Sequence, residues 1–403
     1  MPLRFLTAGE SHGPGLTVVV DGLPAGLGID RAVIDGDLRR RQGGYGRGGR
    51  MKIETDTADI TAGVRHGLTL GSPVSLSIKN RDHESWKDVM SPDPQPDEAR
   101  ARRALKYPRP GHADLAGALK YLTSDLRNVL ERASARETTA RVAAGALARL
   151  LLRACGVEVR SHVLRIAGAA VADGALPWEA LDGVEESPVR CGDAAAGTAM
   201  MAAIDEAKKA GDSLGGVFEV VVRGLPPGLG SFAQWDRRLD GRLAQAVMSI
   251  HSVKAVAVGA GFAAGTTPGS AFHDEILFDD AHGLHRGSNH AGGLEGGVTN
   301  GEEVRVQGVA KPIPTLVTPL RSLDLRSKEP QSASFERSDT CVVPAAGVVG
   351  EAMVAWVLAD ALMEKLGGDS MTEVLDHLEA SRARWKEMLE RPAPRDARPV
   401  PVD

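Results

Sequence analysis

Apolar and polar positions along the chain follow two rhythms. Six short stretches alternate or are rich in β-branched residues, at 16–20, 51–54, 74–78, 218–222, 272–278 and 303–309, a period that belongs to strands. Four longer stretches, at 113–130, 135–154, 348–366 and 372–389, repeat apolar residues at helical spacing. Two further helices are expected to begin near Asp30 and near Trp235. Ser134-Ala-Arg-Glu137 reads as a capping box, and Gly156 and Gly367 stand where helices end on glycine. Residues 168–192 are looser and read as a connecting excursion. Strands and helices do not alternate regularly, which argues against a doubly wound parallel sheet. The expected fold class is α+β, with two related sheet-and-helix units around one core.

A repeat supports that division. Residues 8–28, AGESHGPGLTVVVDGLPAGLG, match residues 210–230, AGDSLGGVFEVVVRGLPPGLG, at 13 of 21 positions without a gap. The kept residues are the glycines, the Val-Val-Val strand and the Leu-Pro turn, which backbone geometry demands. His12 of the first copy becomes Leu214 in the second. A titratable imidazole in one copy and an aliphatic group in the other suggest a shared scaffold with chemistry concentrated in one half. We expect a single catalytic domain over 1–391, built of halves at about 1–160 and 205–391, with a disordered proline-rich tail at 392–403.

Composition narrows the classes. Apolar residues make up 42% of the 403 residues and aromatics only 4%, so the core must be mainly aliphatic. A net charge of −5 argues against a whole-chain polyanion binder, and any basic site must be local. Cys155, Cys191 and Cys341 are far apart and odd in number, which fits a reducing cytoplasm and no disulfide framework. No secretory signal or membrane span is evident at this level, so a soluble cytoplasmic protein is expected. The helices at 348–366 and 372–389 carry wide apolar faces, which favours an oligomer.

The local charge is concentrated in a few segments. Residues 39–50 set Arg39, Arg40, Arg41, Arg47 and Arg50 among five glycines. Arginine's planar fork suits carboxylates and phosphates, and the glycines leave backbone amides open. The segment reads as part of a pocket for a small polyanion. The alternatives are an RNA-binding arginine–glycine segment and a solvated charged face. Arg109-Pro-Gly-His112-Ala-Asp114 places a cation, an imidazole and a carboxylate within six residues. Arg132-Ala133-Ser134 precedes a helix, whose amino end favours anions. Asn289 to Gly297 is a glycine-rich loop, and Arg337-Ser-Asp339 adds a base–acid pair. His282 and His285 have no supporting ligands, so no metal is expected. Neither a Walker phosphate loop nor a dinucleotide fingerprint is present.

Together these segments resemble the chorismate synthase family. The resemblance runs through GESHG at 9–13, RRRQGGYGRGGRM at 39–51, RPGHAD at 109–114, RASARET at 132–138, SNHAGGLEGGVTNG at 288–301, KPIPT at 311–315, RSD at 337–339 and the long apolar segment at 344–369. It implies a β-α-β sandwich, a homotetramer, and no nucleic acid or membrane partner. It also implies anti-1,4-elimination of phosphate from 5-enolpyruvylshikimate 3-phosphate, giving chorismate with reduced FMN and no net redox change. On this resemblance His12 protonates the departing phosphate, His112 keeps the flavin correctly protonated, and Asp339 relays a proton. FMN contacts fall on Arg132-Ala133-Ser134, His251-Ser252, Gly296, Lys311-Pro312-Ile313-Pro314-Thr315 and Arg337. Arg41 and Arg47 fall on positions associated with NADPH as reductant, though the substrate is an equal claimant. His251 stands where many relatives carry glutamine.

Overall fold

The structure, a computed structural model, describes residues 2–48, 55–172, 174–280, 283–336 and 339–390. The expected strand at 51–54 and the tail at 392–403 lie outside the described residues. The first half runs β1 (Arg4–Ala8), β2 (Gly15–Asp21), α1 (Arg31–Gln42), β3 (Asp59–Ala62), β4 (Val64–Arg65), β5 (Leu68–Thr69) and β6 (Val74–Lys79). A short α2 (Asp97–Ala101) leads to α3 (Asp114–Tyr121), α4 (Arg127–Ala133) and α5 (Thr138–Ala154). Next come β7 (Glu158–Ile166), β8 (Ala169–Ala170), α6 (Ala194–Ala210), β9 (Gly216–Arg223), α7 (Leu239–Met248) and β10 (Val253–Val258). A helical turn α8 (Gly269–Phe272) precedes the hairpins β11 (Ile276–Asp279)–β12 (Gly283–Arg286) and β13 (Leu294–Glu295)–β14 (Val298–Thr299). The chain then forms β15 (Val304–Ala310), β16 (Arg321–Leu323) and β17 (Pro330–Ser332), and ends on α9 (Val343–Leu366) and α10 (Met371–Glu390).

Two antiparallel sheets enclose the helices. The first has strand order β1-β2-β6-β3 and the second β10-β15-β9-β7-β8. Helix α5 packs on β2 of the first sheet, α9 packs on β7 and β9 of the second, and α5 and α9 pack on each other. This is the expected α+β sandwich. Val18, Val20, Leu76 and Ile78 of one sheet and Phe218, Val220 and Val306 of the other are fully buried against this helical layer. At the crossing of α5 and α9 the backbones nearly touch. A Cβ on Gly145 would lie 2.3 Å from Cβ of Ala352, so only glycine fits there.

The repeat is structural as well as sequential. Val20 pairs with Val74 and Leu16 with Ile78 in the first half. Val222 pairs with Val304 and Phe218 with Gly308 in the second, the same register shifted along the chain. The hairpin β4–β5 corresponds to β13–β14, and each closes onto the Leu-Pro turn of its own half through an isolated bridge, Gly28 to Leu68 and Gly230 to Val298.

Four expectations change. The helix over 113–130 is two helices, because Leu122 adopts φ 52° in the left-handed region. Asp125 then restarts the chain by accepting from the amides of Arg127 at 2.9 Å and Leu105 at 3.1 Å. The stretch 272–278 is a helical turn followed by a strand, since the Asp274 carboxylate accepts from the amides of His290 and Ala291 at 2.8 and 2.9 Å. Ser134 does cap a 3-10 turn by accepting from the Arg136 amide at 3.3 Å. Glu137 does not complete the box, because it accepts instead from Thr7 and Arg141. Finally, α9 starts at Val343 and is long and apolar enough to cross a membrane, with 94% of its apolar window buried inside the protein. Its apolar faces are covered by α5, α7 and the second sheet of its own chain, so they carry no argument for an oligomer.

Candidate active site

A cavity of about 850 Å3 opens where the two halves meet. The first half contributes the turn after β1, the loops around residues 82–86 and 103–113, and the α4–α5 junction. The second half contributes residues 250–252, 311–315 and the start of α9. Arg41, Arg47, Arg103, Arg109, Arg127, Arg136 and Lys311 line it, against the carboxylates Asp82, Glu336 and Asp339. That excess of positive charge in a partly enclosed space favours a ligand with several negative charges.

His12 sits in the β1–β2 turn and is only 7% exposed. Its Nδ1 lies 2.8 Å from Oε1 of Glu131, whose Oε2 accepts from the His12 amide, also at 2.8 Å. One face of the ring stacks on Trp86, with centroids 3.9 Å apart. The Asn80 amide group ties down the turn itself by donating to the carbonyls of Gly13 and Glu10.

His112 repeats the arrangement across the cavity. It follows Gly111, whose φ of 79° brings the ring round, and its Nδ1 lies 2.5 Å from Oδ1 of Asp114. Arg109 grips the same carboxylate through Nε at 2.8 Å and Nη2 at 3.0 Å. Burial opposes ionisation of Asp114, but the bonds from His112 and Arg109 outweigh it and hold the carboxyl well below its ordinary range. Arg109 also reaches Thr315 Oγ1 at 3.2 Å. Lys311 donates to the Gly111 carbonyl, so the 311–315 segment is laced to the His112 loop.

Asp339 and Arg47 are brought together at 2.9 Å, and Asp339 also accepts from the Gly48 amide at 2.6 Å. Arg41 is buried and donates to Thr138 Oγ1 at 2.9 Å and the Ala135 carbonyl at 2.8 Å. The arginine–glycine segment is therefore no solvated tail as far as Gly48. Residues 39–42 end α1, and Arg40 is pinned between Glu351 and Glu185. Tyr45 donates its amide to the Pro188 carbonyl and its hydroxyl to Asp205. Pro188 of the 168–192 excursion and Asp205 of α6 thus hold this segment. Arg50 lies outside the described residues.

Ala133, Ser134, His251, Ser252, Ile313 and Pro314 also line the cavity. His251 is half-buried, and its buried Nδ1 has no hydrogen-bond partner among the described residues, with Glu137 at 3.9 Å being too far. Burial, opposed by Glu137 and aided by Arg141, Arg41 and His112, pushes its pKa down to about 4. Three expected residues do not reach the cavity. Arg132 turns its guanidinium to Thr7 and the Gly9 carbonyl, because α4 directs it outward. Pro312 lies in the 311–315 segment without lining it, and Gly296 sits in the β13–β14 turn beside Phe232. Arg337 lies outside the described residues. Sequence reasoning missed Trp86, Arg103, Arg127, Glu131 and Arg136. Glu131 borders the motif at 132–138 and Arg136 lies inside it, so that motif was their one signal.

Fold and cavity define an α+β protein with a cation-rich cavity between its two halves. A model of the family described as chorismate synthase matches residues 3–363. The chorismate synthase of Moorella thermoacetica is 57% identical over 386 residues, covering 96% of this chain and 100% of that one. That of Geobacillus kaustophilus is 53% identical over 389 residues, covering 96% and 100%. A solved structure titled "Crystal Structure of Chorismate Synthase" superimposes with a TM-score of 0.77 at 42% identity, covering 96% of this chain and 99% of that one. The chain belongs to the chorismate synthase family. It is accordingly an enzyme, a lyase of the shikimate pathway of aromatic biosynthesis.

Proposed function

We propose that this protein converts 5-enolpyruvylshikimate 3-phosphate to chorismate and phosphate by anti-1,4-elimination, using reduced FMN without net redox change. The observation that carries the reading is a pair of carboxylate-backed histidines, His12 and His112, in one cavity lined by seven cations. The substrate brings a phosphate and two carboxylates, which that lining complements. The residues fit FMN as well. Lys311 and Ser134 suit its phosphate, and the buried His251 Nδ1, without a hydrogen-bond partner among the described residues, suits a polar ring edge. Reduced FMN, when bound, supplies transient electron density that an unactivated ring hydrogen and a phosphate leaving group would otherwise lack.

The protein's own groups do the rest. His12 gives a proton to the departing phosphate, and the surrounding arginines stabilise the charge it carries away. His112 holds a proton beside the cofactor, oriented by Asp114. Asp339 relays a proton, with Arg47 keeping its carboxylate in place. Ala133, Ser252, Ile313, Pro314 and Thr315 form cofactor walls, while Arg132, Pro312 and Gly296 are its more distant candidates and Arg337 is a further one by its motif. Arg41 and Arg47 would meet substrate, or NADPH where it serves as reductant. The enzyme works as one catalytic domain over 1–391, as a cytoplasmic homotetramer.

The test is substitution of each histidine. General acid–base groups contribute ~100- to 10,000-fold, so His12→Ala and His112→Ala should each lose turnover in about that range with circular dichroism unchanged. Full turnover in either variant would leave that residue a packing role only.

A further inference from the structure

We infer that Glu131 is a positioning residue that fixes His12 in the tautomer protonated at Nδ1, committing Nε2 to proton exchange in the cavity. The inference rests on the reading of His12 as proton donor. Its own support is geometric. Glu131 does not line the cavity. Its side chain is 4% exposed, and both carboxylate oxygens are spent on His12, Oε2 on the amide and Oε1 on Nδ1, each at 2.8 Å. The Glu131 carbonyl accepts from the neighbouring Ser11 amide at 2.9 Å. One residue of α4 thus holds the Ser11–His12 backbone and the ring together.

An ionised carboxylate only accepts, so the nitrogen facing it carries the proton. Turning the ring over would set a carbon against Oε1 and leave a buried anion short of a partner. Trp86 stacks on one ring face, and the Arg103 guanidinium lies 3.9 Å from the Trp86 centroid, so the ring is confined sideways as well. The Arg127 guanidinium, 3.5 Å from Oε1, keeps a cation beside the carboxylate. With Nδ1 committed, a proton gained or given during the reaction passes through Nε2. No atom is left over in this step. The proton leaves Nε2 for the phosphate oxygen, and the imidazole returns to its Nδ1–H form.

The experiment is long-range proton–nitrogen correlation on full-length protein with isotope-labelled histidine, with His12→Ala identifying the signal, followed to the high-pH plateau. There His12 should show the Nδ1–H pattern, which is the minor form of free imidazole. Glu131→Gln, whose amide can offer only one oxygen, should move the signal toward Nε2–H. It should lower kcat by about 100-fold or more and leave KM within about threefold. A wild-type His12 protonated at Nε2 would overturn the inference without any variant. So would full kcat in a folded Glu131→Gln. If His12→Ala keeps full turnover, the proton-donor reading fails on its own, and the tautomer measurement still decides the role of Glu131.

Discussion

Thr69 and Thr299 make the same bonds in the two halves. The hydroxyl of Thr69 donates to the Pro24 carbonyl at 2.6 Å and accepts from the Leu27 amide at 2.9 Å. Thr299 does so with Pro226 at 2.7 Å and Leu229 at 2.9 Å. Both threonines are buried and both lie outside the cavity. Replacing either by valine strands a buried donor and acceptor, which costs about 1–3 kcal/mol. Urea unfolding should show similar losses for Thr69→Val and Thr299→Val, with the denaturant slope unchanged. A loss confined to one variant would deny the equivalence of the halves.

The helix crossing gives a second prediction with a built-in control. Gly145→Ala would place its Cβ 2.4 Å from Cα of Ala352. The overpacking cost, about 1–3 kcal/mol, exceeds the ~1 kcal/mol that alanine gains over glycine in a helix. Gly36 in α1 has nothing within 4 Å of such a Cβ, so Gly36→Ala should stabilise. Opposite shifts in melting temperature are expected, and a gain from Gly145→Ala would refute the close crossing.

His251 predicts a pH dependence. Its pKa falls from 6.5 to about 4, chiefly through burial, so the unfolded chain binds its proton first. The stability it contributes is complete above about pH 6.5 and is lost as pH falls toward 4. The loss amounts to about 3 kcal/mol at most. His251→Gln should flatten that part of the stability–pH curve, read by denaturant unfolding between these limits. An unchanged slope would mean that another group titrates there.

Leu214 and His12 test the division of labour. Leu214 is half-buried against the core, and its amide donates to the Thr340 carbonyl at 2.8 Å. Leu214→His puts a polar ring into apolar packing and should destabilise the fold, while FMN stoichiometry stays as in the wild type. Extra FMN bound by the variant would contradict the scaffold role of the second copy.

Sequence pattern located β2, β6, β9 and β15 because a strand's alternation or β-branched run is written locally, as at Val304–Ala310, and it left β1, β7 and β10 of the same two sheets unread. It located α9 because an unbroken apolar run is equally local. The break at Leu122 escaped it, since the left-handed residue is a leucine and the restart depends on one aspartate, Asp125. The family motifs brought His12, His112 and Asp339 to the cavity. The partners that orient them were less legible. Glu131 lies 119 residues from His12, and only the packing of α4 beside the β1–β2 turn joins them. The same packing decides where Arg132 goes, since the helical angle turns its neighbour Glu131 to His12 and Arg132 to Thr7 and the Gly9 carbonyl.

The central claim is that this cavity carries out the phosphate elimination with reduced, not oxidised, flavin. Purified protein, 5-enolpyruvylshikimate 3-phosphate and chemically reduced FMN, mixed under strict anaerobiosis, should release phosphate and form chorismate in equal amounts. The reduced flavin should remain unconsumed, with oxidised FMN giving no turnover. Absence of phosphate release under reducing conditions, or equal rates with oxidised FMN, would contradict the account.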